Sequence, residues 1–358
     1  MGYTTFATQS TPSMPAKIVT LKSLLNPDID RVILDVRSPA EYEKAHVPGA
    51  LNLPLFSDEE RAIVGTAYKQ ESPEKAMLLG LEFAGKKMRQ YVEDAALMAP
   101  AKKILVHCWR GGKRSESMAW LLSMAGFDVE VLKGGYKQYR QAVQKIFHTH
   151  LKKLIVIGGQ TGIGKTYILH QLAMLGEQII DLEKWANHKG SAFGSLGQEA
   201  QPSTEMFENL LFEHIRKLDA HRRIFIENES KKVGICVLPD ELYRQMKQYY
   251  YIQYTIPFED RLDILVQNYA AYPVEDLKER FKRIERKLGG DHLALAFQAL
   301  DARDFKTAAA IALKFYDKTY LHGFENNTTP HKLVIDYHHA DTTLIAMDIQ
   351  HTCNTLNI

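Results

Sequence analysis

Two successive α/β domains are what this 358-residue sequence predicts. Short apolar runs ending at polar residues alternate with amphipathic stretches of helical spacing, the pattern of strands joined by crossover helices. A second such series restarts at Lys153, where a strand-like run is followed at once by a Gly-rich turn. The length suits two domains of roughly 100–200 residues each. Hydrophobic residues make up 45% and charged residues 25%, so each half has the material for a core.

Residues 1–16 are polar and rich in Pro, Ser and Thr, and read as a flexible tail. Arg31–Asp35, Lys103–His107 and Asp128–Leu132 then read as buried strands of a mostly parallel sheet. Glu82–Met98 and Ser115–Ala125 have helical spacing. Tyr136–His150 also reads as helix, not as a loose linker, and the restart that follows it places the first domain at 17–147 and the second at 148–358. In the second domain Lys153–Ile157, Gln178–Leu182, Arg223–Glu227 and Tyr250–Thr255 read as strands. Beyond Glu259 the pattern is mainly helical until a last strand at Lys332–Asp336.

Charge and cysteine usage narrow the class. Lys and Arg total 45 against 43 Asp and Glu, a net charge of +2. That excludes a histone-like polycation but not an enzyme that holds nucleic acid on a local patch. Cys108, Cys236 and Cys353 are more than 100 residues apart, so no disulfide framework or zinc knuckle is expected and a reducing compartment fits. The N-terminus lacks a charged segment followed by an apolar one, and no run approaches about 18 apolar residues. A cytoplasmic protein without a membrane partner is expected.

Chemistry concentrates in two loops. The first is Cys108-Trp109-Arg110-Gly111-Gly112-Lys113-Arg114-Ser115, between a strand and a helix. Successive N–H groups in such a loop converge on an anion, and the helix start adds positive potential. With Arg110, Lys113 and Arg114 alongside, a thiolate at Cys108 is favoured. Gly111 and Gly112 let the backbone fold back without Cβ clashes. A buried structural cysteine would have no use for these neighbours.

The second loop, Gly159-Gln160-Thr161-Gly162-Ile163-Gly164-Lys165-Thr166, matches the P-loop pattern in its strand–loop–helix context. Its N–H groups point at phosphate oxygens, and Lys165 adds a point charge. Thr166 is an oxygen donor suited to Mg²⁺, although no residue set defines a metal site. Asp181, Glu227 and Glu229 end strand-like runs. Each would hold Mg²⁺, position a substrate, or be an ordinary strand-end carboxylate.

Upstream, Asp35-Val36-Arg37-Ser38-Pro39-Ala40-Glu41-Tyr42 and His46-Val47-Pro48-Gly49-Ala50 precede the Cys108 loop in the order and spacing of a known family. Residues 17–147 thereby resemble the rhodanese family, which carries sulfur-type atoms on a cysteine. The resemblance implies that Cys108 carries a chalcogen and that Asp35 and Arg37 buttress its loop; read alone, Asp35 is equally a strand-end cap. One departure is the C-x5-R spacing from Cys108 to Arg114, longer by one residue than in many sulfurtransferase loops and equal to that of Cys-dependent phosphatases. A phosphate-bearing substrate near Cys108 follows from that spacing.

Further segments extend the likeness over about residues 17–340. They are Asp181 to Gly194, Gln201-Pro202-Ser203, Phe207-Glu208 and Ile226 to Gly234. The whole resembles the tRNA 2-selenouridine synthase family: a rhodanese-like parallel-sheet domain plus a P-loop NTPase-like α/β domain with a helical C-terminal part. The resemblance implies a transferase that acts on wobble 2-thiouridine of tRNA, first S-geranylating it from geranyl diphosphate. Selenium from selenophosphate, delivered by a selenophosphate synthetase, then replaces the geranylthio group, and no tightly bound cofactor is implied. Cys108 would either accept selenium or assist departure of the geranylthiol. The likeness makes Asp181, Trp185, Asn187, His188, Lys189, Ser191, Phe193, Gly194, Gln201, Glu227, Glu229 and Ser230 candidates for contact with substrate. Trp185 and Phe193 either stack on a base or pack in a core.

A tRNA requires a basic surface. Lys278, Arg280, Lys282, Arg283, Arg286 and Lys287 lie on one predicted helix with only Glu279 and Glu285 between them. Lys231, Lys232, Arg216, Arg222 and Arg223 add to the set, as backbone contacts or as solvated faces. Two other functions compete with the transferase. One is an NTP-dependent kinase or sulfurtransferase–NTPase fusion, which would need a strand-end metal carboxylate and ATP turnover. The other is a non-catalytic binding module, against which the intact Cys108 and Lys165 argue.

Overall fold

The computed structural model describes residues 16–149, 151, 153–325, 329 and 331–358, without the side chains of 319–325. The predicted tail, apart from Ala16, and the end of the predicted helix at His150 lie outside the described residues. The chain divides into two compact units, the first ending at Ala142 and the second starting at Val143. That division falls inside a helix, Gly135–Thr149, where the sequence places the boundary at 147 and 148.

The first unit opens with β1 (Lys17–Val19), α1 (Leu21–Leu24), β2 (Val32–Asp35), α2 (Pro39–Lys44) and β3 (Leu51–Asn52). It continues with α3 (Asp58–Gln70), α4 (Pro73–Gly85), α5 (Met88–Met98) and β4 (Lys103–His107). It closes with α6 (Lys113–Met124), β5 (Asp128–Leu132) and the start of α7 (Gly135–Thr149). Its sheet is parallel throughout, in the order β1-β5-β4-β2-β3. β4 is central, and four of its five residues are buried, so the loop at its C-terminal end stands on the least movable part of the unit. Leu34, Val106, Met118, Leu122 and Val131 form the core around it. Burying each such side chain contributes on the order of 1.5–3 kcal/mol.

The second unit contains β6 (Leu154–Gly158), α8 (Lys165–Met174), β7 (Gln178–Ile180), α9 (Leu182–Ala186), α10 (Thr204–Ile215) and β8 (Ile224–Glu227). Then come β9 (Lys232–Val233), β10 (Cys236–Val237), α11 (Asp240–Met246) and β11 (Tyr250–Thr255). The helical part is α12 (Phe258–Tyr269), α13 (Val274–Leu288), α14 (Gly290–Asp301) and α15 (Phe305–Glu325), followed by β12 (His331–Asp336) and α16 (Thr342–Thr355). A parallel sheet in the order β12-β11-β6-β8-β7 carries one core, and β9 and β10 form a small antiparallel pair. A second core lies among α13, α14 and α15 with Phe193 and Leu196.

The sequence runs one helix through Glu82–Met98, whereas the chain turns at Lys86 and Lys87 between α4 and α5. Gly85 ends the first helix, as expected for the residue with the largest backbone entropy cost. α3 and α16 are present where the sequence pattern was not read as helix.

Candidate functional site

The Cys108 loop follows β4 and turns into α6 at Gly112. Cys108 Sγ lies 3.3 Å from Ser115 Oγ, whose single hydrogen has two acceptors within reach, the sulfur and the Gly112 carbonyl at 2.9 Å. Burial pushes the thiol pKa up. Hydrogen bonds from the Ser115 hydroxyl and from the amides of Ser115, Arg110 and Gly112 outweigh it, and the net shift is below the usual thiol value. Of the loop amides, helix start and three cations that the sequence places around the thiol, the amides hydrogen-bond the sulfur, while two of the cations are paired with carboxylates. Lys113 is 79% exposed and pairs with Glu116 at 3.2 Å. Arg110 is exposed, and Arg114 Nη1 donates to Glu41 Oε2 at 2.6 Å. The phosphatase-like arginine is therefore already held by a carboxylate of the same unit. Trp109 is partly exposed beside Tyr136, with ring centroids 5.7 Å apart.

The loop is backed by Gly135 and Tyr136, which the sequence reading missed, together with Gly111, Arg37 and Asp35, which it named. Gly111 and Gly135 both have positive φ, at 67° and 57°. A Cβ on Gly135 would sit 2.3 Å from the Cys108 carbonyl and 2.5 Å from Gly111 N, so only glycine fits there. A Gly-Gly pair directly after a strand was the available signal. Tyr136 N donates to the Cys108 carbonyl at 2.9 Å, and the Arg37 guanidinium lies 4.0 Å over the Tyr136 ring. Arg37 is itself fixed by Asp35, whose Oδ2 it meets at 2.6 Å. This chain of contacts joins Asp35 and Arg37 to the loop. His107 is fully buried with Nδ1 3.9 Å from Asp35 Oδ1, and burial holds its pKa below the usual imidazole value.

In the second unit the P-loop leaves β6 and enters α8, with Gly162 and Gly164 at φ of 82° and 79°. Arg261 of α12, 3% exposed, braces it. Its Nε and Nη2 donate to the Thr161 carbonyl at 3.0 and 2.8 Å, and its Nη1 to Gln160 Oε1 at 3.1 Å. Asp317 of α15 holds the same guanidinium through both oxygens, at 2.6 and 3.0 Å. Tyr254 Oη donates to the Ile163 carbonyl at 2.9 Å. Neither Arg261, Asp317 nor Tyr254 was legible as a P-loop support, because each arrives from an element about a hundred residues away or more.

Carboxylates gather beside Lys165. Thr166 Oγ1 donates to Glu183 Oε2 at 2.9 Å, and Glu183 N donates to Glu227 Oε1 at 2.8 Å. Glu183 was not singled out from the sequence. Burial, then repulsion from Glu183 and Asp181, lifts Glu227 well above the carboxylate range. Glu229 is pushed up to about 7 by burial, with Lys165 opposing and Glu183 adding. Asp181 caps α9 by accepting from Lys184 N at 2.8 Å, and it meets His170 Nε2 at the same distance. Among the described residues no group of three or more His, Cys, Asp or Glu side chains is arranged to hold a metal ion.

These groups line a cavity of about 650 Å³. The P-loop, Asp181, Glu183, Ser191, Asn228 and Glu229 give it polar lining. Leu265, which packs on Gly162 of the P-loop, and Leu277, Phe281, Phe305, Ala308 and Ala312 give it apolar lining. Asn187, Lys189 and Phe193 also line it, and Phe193 packs edge-on to Phe281 at 5.1 Å. Other predicted substrate residues are placed elsewhere. Gln201 Nε2 donates to the carbonyls of Ala186 and Val233 at 2.8 and 3.0 Å, which makes it a brace. Trp185 packs on His214, with centroids 5.6 Å apart. Ser230 Oγ donates to the Lys232 carbonyl, and Gly194 makes room for the His188 ring.

The basic set divides. α13 buries Leu277, Phe281, Ile284 and Leu288, while Lys282, Arg283, Arg286 and Lys287 are exposed on its outer side. Lys278 is engaged by Glu275 and Asp301, and Lys231 by Asp240. Lys232 is exposed in β9. Arg216, Arg222 and Arg223 are tied to Glu213, the Gly176 carbonyl and Glu177 respectively, so they form no open patch. Cys236 and Cys353 are fully buried and burial raises both thiols to about 11, in keeping with packing roles.

A parallel-sheet unit presenting a cysteine loop, followed by a P-loop unit with a helical part, defines a rhodanese-like and P-loop two-domain protein. Residues 19–142 match the model of the rhodanese-like domain, and residues 152–341 match that of the tRNA 2-selenouridine synthase AAA domain. The chain belongs to the family that this second model describes. A tRNA 2-selenouridine synthase from Nitrosomonas europaea is 36% identical over 248 residues, covering 67% of this chain and 64% of the relative. The chain therefore spans less than two thirds of that relative's length. Among solved structures, the N-terminal domain of a putative ATP/GTP binding protein from Clostridium difficile 630 is 37% identical over 36% of this chain and 98% of its own, with a TM-score of 0.33. The BH2092 protein from Bacillus halodurans is 18% identical over 35% of this chain and 72% of its own, with a TM-score of 0.21. No helix among the described residues is long and apolar enough to cross a membrane.

Proposed function

We propose that this chain is a transferase that converts wobble 2-thiouridine of tRNA into 2-selenouridine by way of an S-geranyl intermediate. One observation carries the reading: a single cavity is lined both by a P-loop and by apolar side chains of α12 to α15. Geranyl diphosphate has the same two parts, a diphosphate head on a hydrocarbon tail. A nucleotide would set a polar ribose against the apolar lining instead. The amides of the P-loop and Lys165 would hold the diphosphate, and their positive potential would stabilise the charge that grows on it as it leaves. Mg²⁺ carried in with the diphosphate would meet the oxygens of Thr166 and Glu183, donors of the type it prefers.

In the first step the thiocarbonyl sulfur attacks C1 of the geranyl chain. The S–C bond forms, the C–O bond breaks, and the diphosphate leaves with the electron pair while the base loses its N3 proton. In the second step the selenium of selenophosphate adds at C2 of the base and geranylthiol departs, and water then cleaves the P–Se bond and releases phosphate. The depressed thiol of Cys108 supports a role in that step, in assisting the geranylthiol's departure. Because Arg114 is held by Glu41, selenophosphate would be met chiefly by the loop amides.

The test is mass spectrometry of nucleosides from a thiolated tRNA incubated with geranyl diphosphate and then selenophosphate. S-geranyl and then seleno products are expected, and the absence of both sinks the reading. ATP hydrolysis stimulated by tRNA, without either product, would favour the NTPase alternative.

A further inference from the structure

We infer that the mouth of the Cys108 loop is an RNA-docking surface: Trp109 is a stacking platform for a base of the anticodon loop, and Arg110, Lys133 and Lys137 around it hold the adjoining phosphodiesters. The inference deepens the proposed function and rests on its tRNA substrate.

Backbone contacts bring these residues to one end of the first unit's sheet. β4 and β5 are parallel neighbours, and the turn that follows β5 is packed into the loop that follows β4. A Cβ at Gly111 would lie 2.6 Å from the Leu132 carbonyl and 3.0 Å from Gly134 N, the two residues that flank Lys133. Lys137 N donates to the Trp109 carbonyl at 2.9 Å, next to the bond from Tyr136 N to the Cys108 carbonyl. Trp109 therefore stands on a fixed footing, and the fully buried Tyr136 backs its ring from inside. Even so, 37% of Trp109 is exposed, directly beside a thiol that is buried.

Charge selects the occupant. Arg110, Lys133 and Lys137 are exposed, and among the described residues none of them has a carboxylate partner. Glu116 and Glu41, the acids that reach this loop, are taken by Lys113 at 3.2 Å and Arg114 at 2.6 Å. An aromatic face ringed by unpaired cations is complementary to single-stranded RNA, whose splayed bases offer π faces and whose backbone carries a charge at each nucleotide. An anticodon loop is such a strand, and the proposed second step brings one of its bases to Cys108, the residue before Trp109. Cations of this kind fix the register of a nucleic-acid backbone without reading its sequence.

The test titrates the full chain with an anticodon stem–loop carrying 2-thiouridine, by fluorescence anisotropy over a range of salt and by tryptophan emission. Trp109→Ala is expected to weaken binding about tenfold, and Trp109→Phe, which keeps a π face, by about threefold or less. Lys133→Gln and Lys137→Gln should each weaken it about threefold and lower the salt slope by about 0.7 for each phosphate no longer neutralised, whereas Trp109→Ala should leave the slope in place. Quenching of tryptophan emission on binding should be largely lost in Trp109→Phe. An unchanged Tm checks folding, and the exposed lysines and the quench carry the test should Trp109→Ala unfold. Variants with wild-type affinity and slope, and a quench that persists without Trp109, overturn the docking surface and leave the proposed function standing. Variants that bind the stem–loop normally, but lose selenation only when a selenophosphate synthetase replaces free selenophosphate, make the surface a protein-docking one and overturn its assignment to RNA. A wild-type protein that does not bind the stem–loop at all overturns the tRNA reading itself.

Discussion

At Cys108, the loop amides that the sequence pointed to lower the thiol pKa together with the Ser115 hydroxyl, while Lys113 and Arg114 pair with Glu116 and Glu41. The distinction is testable. Ser115→Ala should raise the pH midpoint for iodoacetamide labelling of Cys108, whereas Lys113→Ala should leave it in place. The wild-type midpoint should lie below the roughly 8.5 of a free cysteine. Cys108→Ala is expected to block selenation and let S-geranyl tRNA accumulate, and Lys165→Ala to block geranylation. Product analysis by mass spectrometry separates the two outcomes. Glu229 gives a further prediction, with a sign. Its pKa of about 7 means that it is neutral in mild acid and gains a negative charge as pH rises through that value. A diphosphate beside it should therefore bind less well above pH 7 than below. Glu229→Gln should flatten that difference in a calorimetric pH series run beside the wild type.

At the scale of elements, most strands and the two loops were legible, because a parallel strand buried on both faces is written as a continuous apolar run ending in a polar residue. β2, β4 and β8 follow that rule. β1 does not: it is an edge strand of three residues with Ile18 70% exposed, so neither alternation nor a run marks it. α16 buries Ile345, Ala346, Ile349 and Cys353 behind an Asp341 cap, a periodicity that could have been read beside the strand before it. What sequence does not write is convergence. Arg261 and Asp317 meet under the P-loop from two helices 56 residues apart. Removing Arg261 leaves Asp317 without its partner, and breaking a buried pair typically costs about 3–5 kcal/mol. Arg261→Ala should lower Tm by several degrees and weaken geranyl diphosphate binding at least tenfold, while Asp317→Asn should do less, because Arg261 keeps the Thr161 carbonyl. Along α15, Ala308 and Ala312 line the cavity with small side chains. Ala312→Phe should shorten it and shift preference from geranyl toward dimethylallyl diphosphate, read as the ratio of kcat/KM values.

Over the whole molecule, near-neutrality conceals a division of charge. In the first unit Arg114 is held by Glu41, and on the outer face of α13 Lys282, Arg283, Arg286 and Lys287 lie exposed. The two chemistries should accordingly be separable in the intact chain. Cys108→Ala should leave geranyl diphosphate affinity unchanged, and Lys165→Ala should leave the labelling rate of Cys108 unchanged. The contact of Gly135 with Cys108 carries one more implication, for anyone who would alter this protein. The thiol's electrostatic setting depends on a residue 27 positions downstream, because a side chain at Gly135 would meet the Cys108 carbonyl and the amides of Arg110 and Gly111. A library that varied only the eight residues of the Cys108 loop would leave that constraint in force in every member. To move the sulfur, the glycine turn has to be redesigned with it.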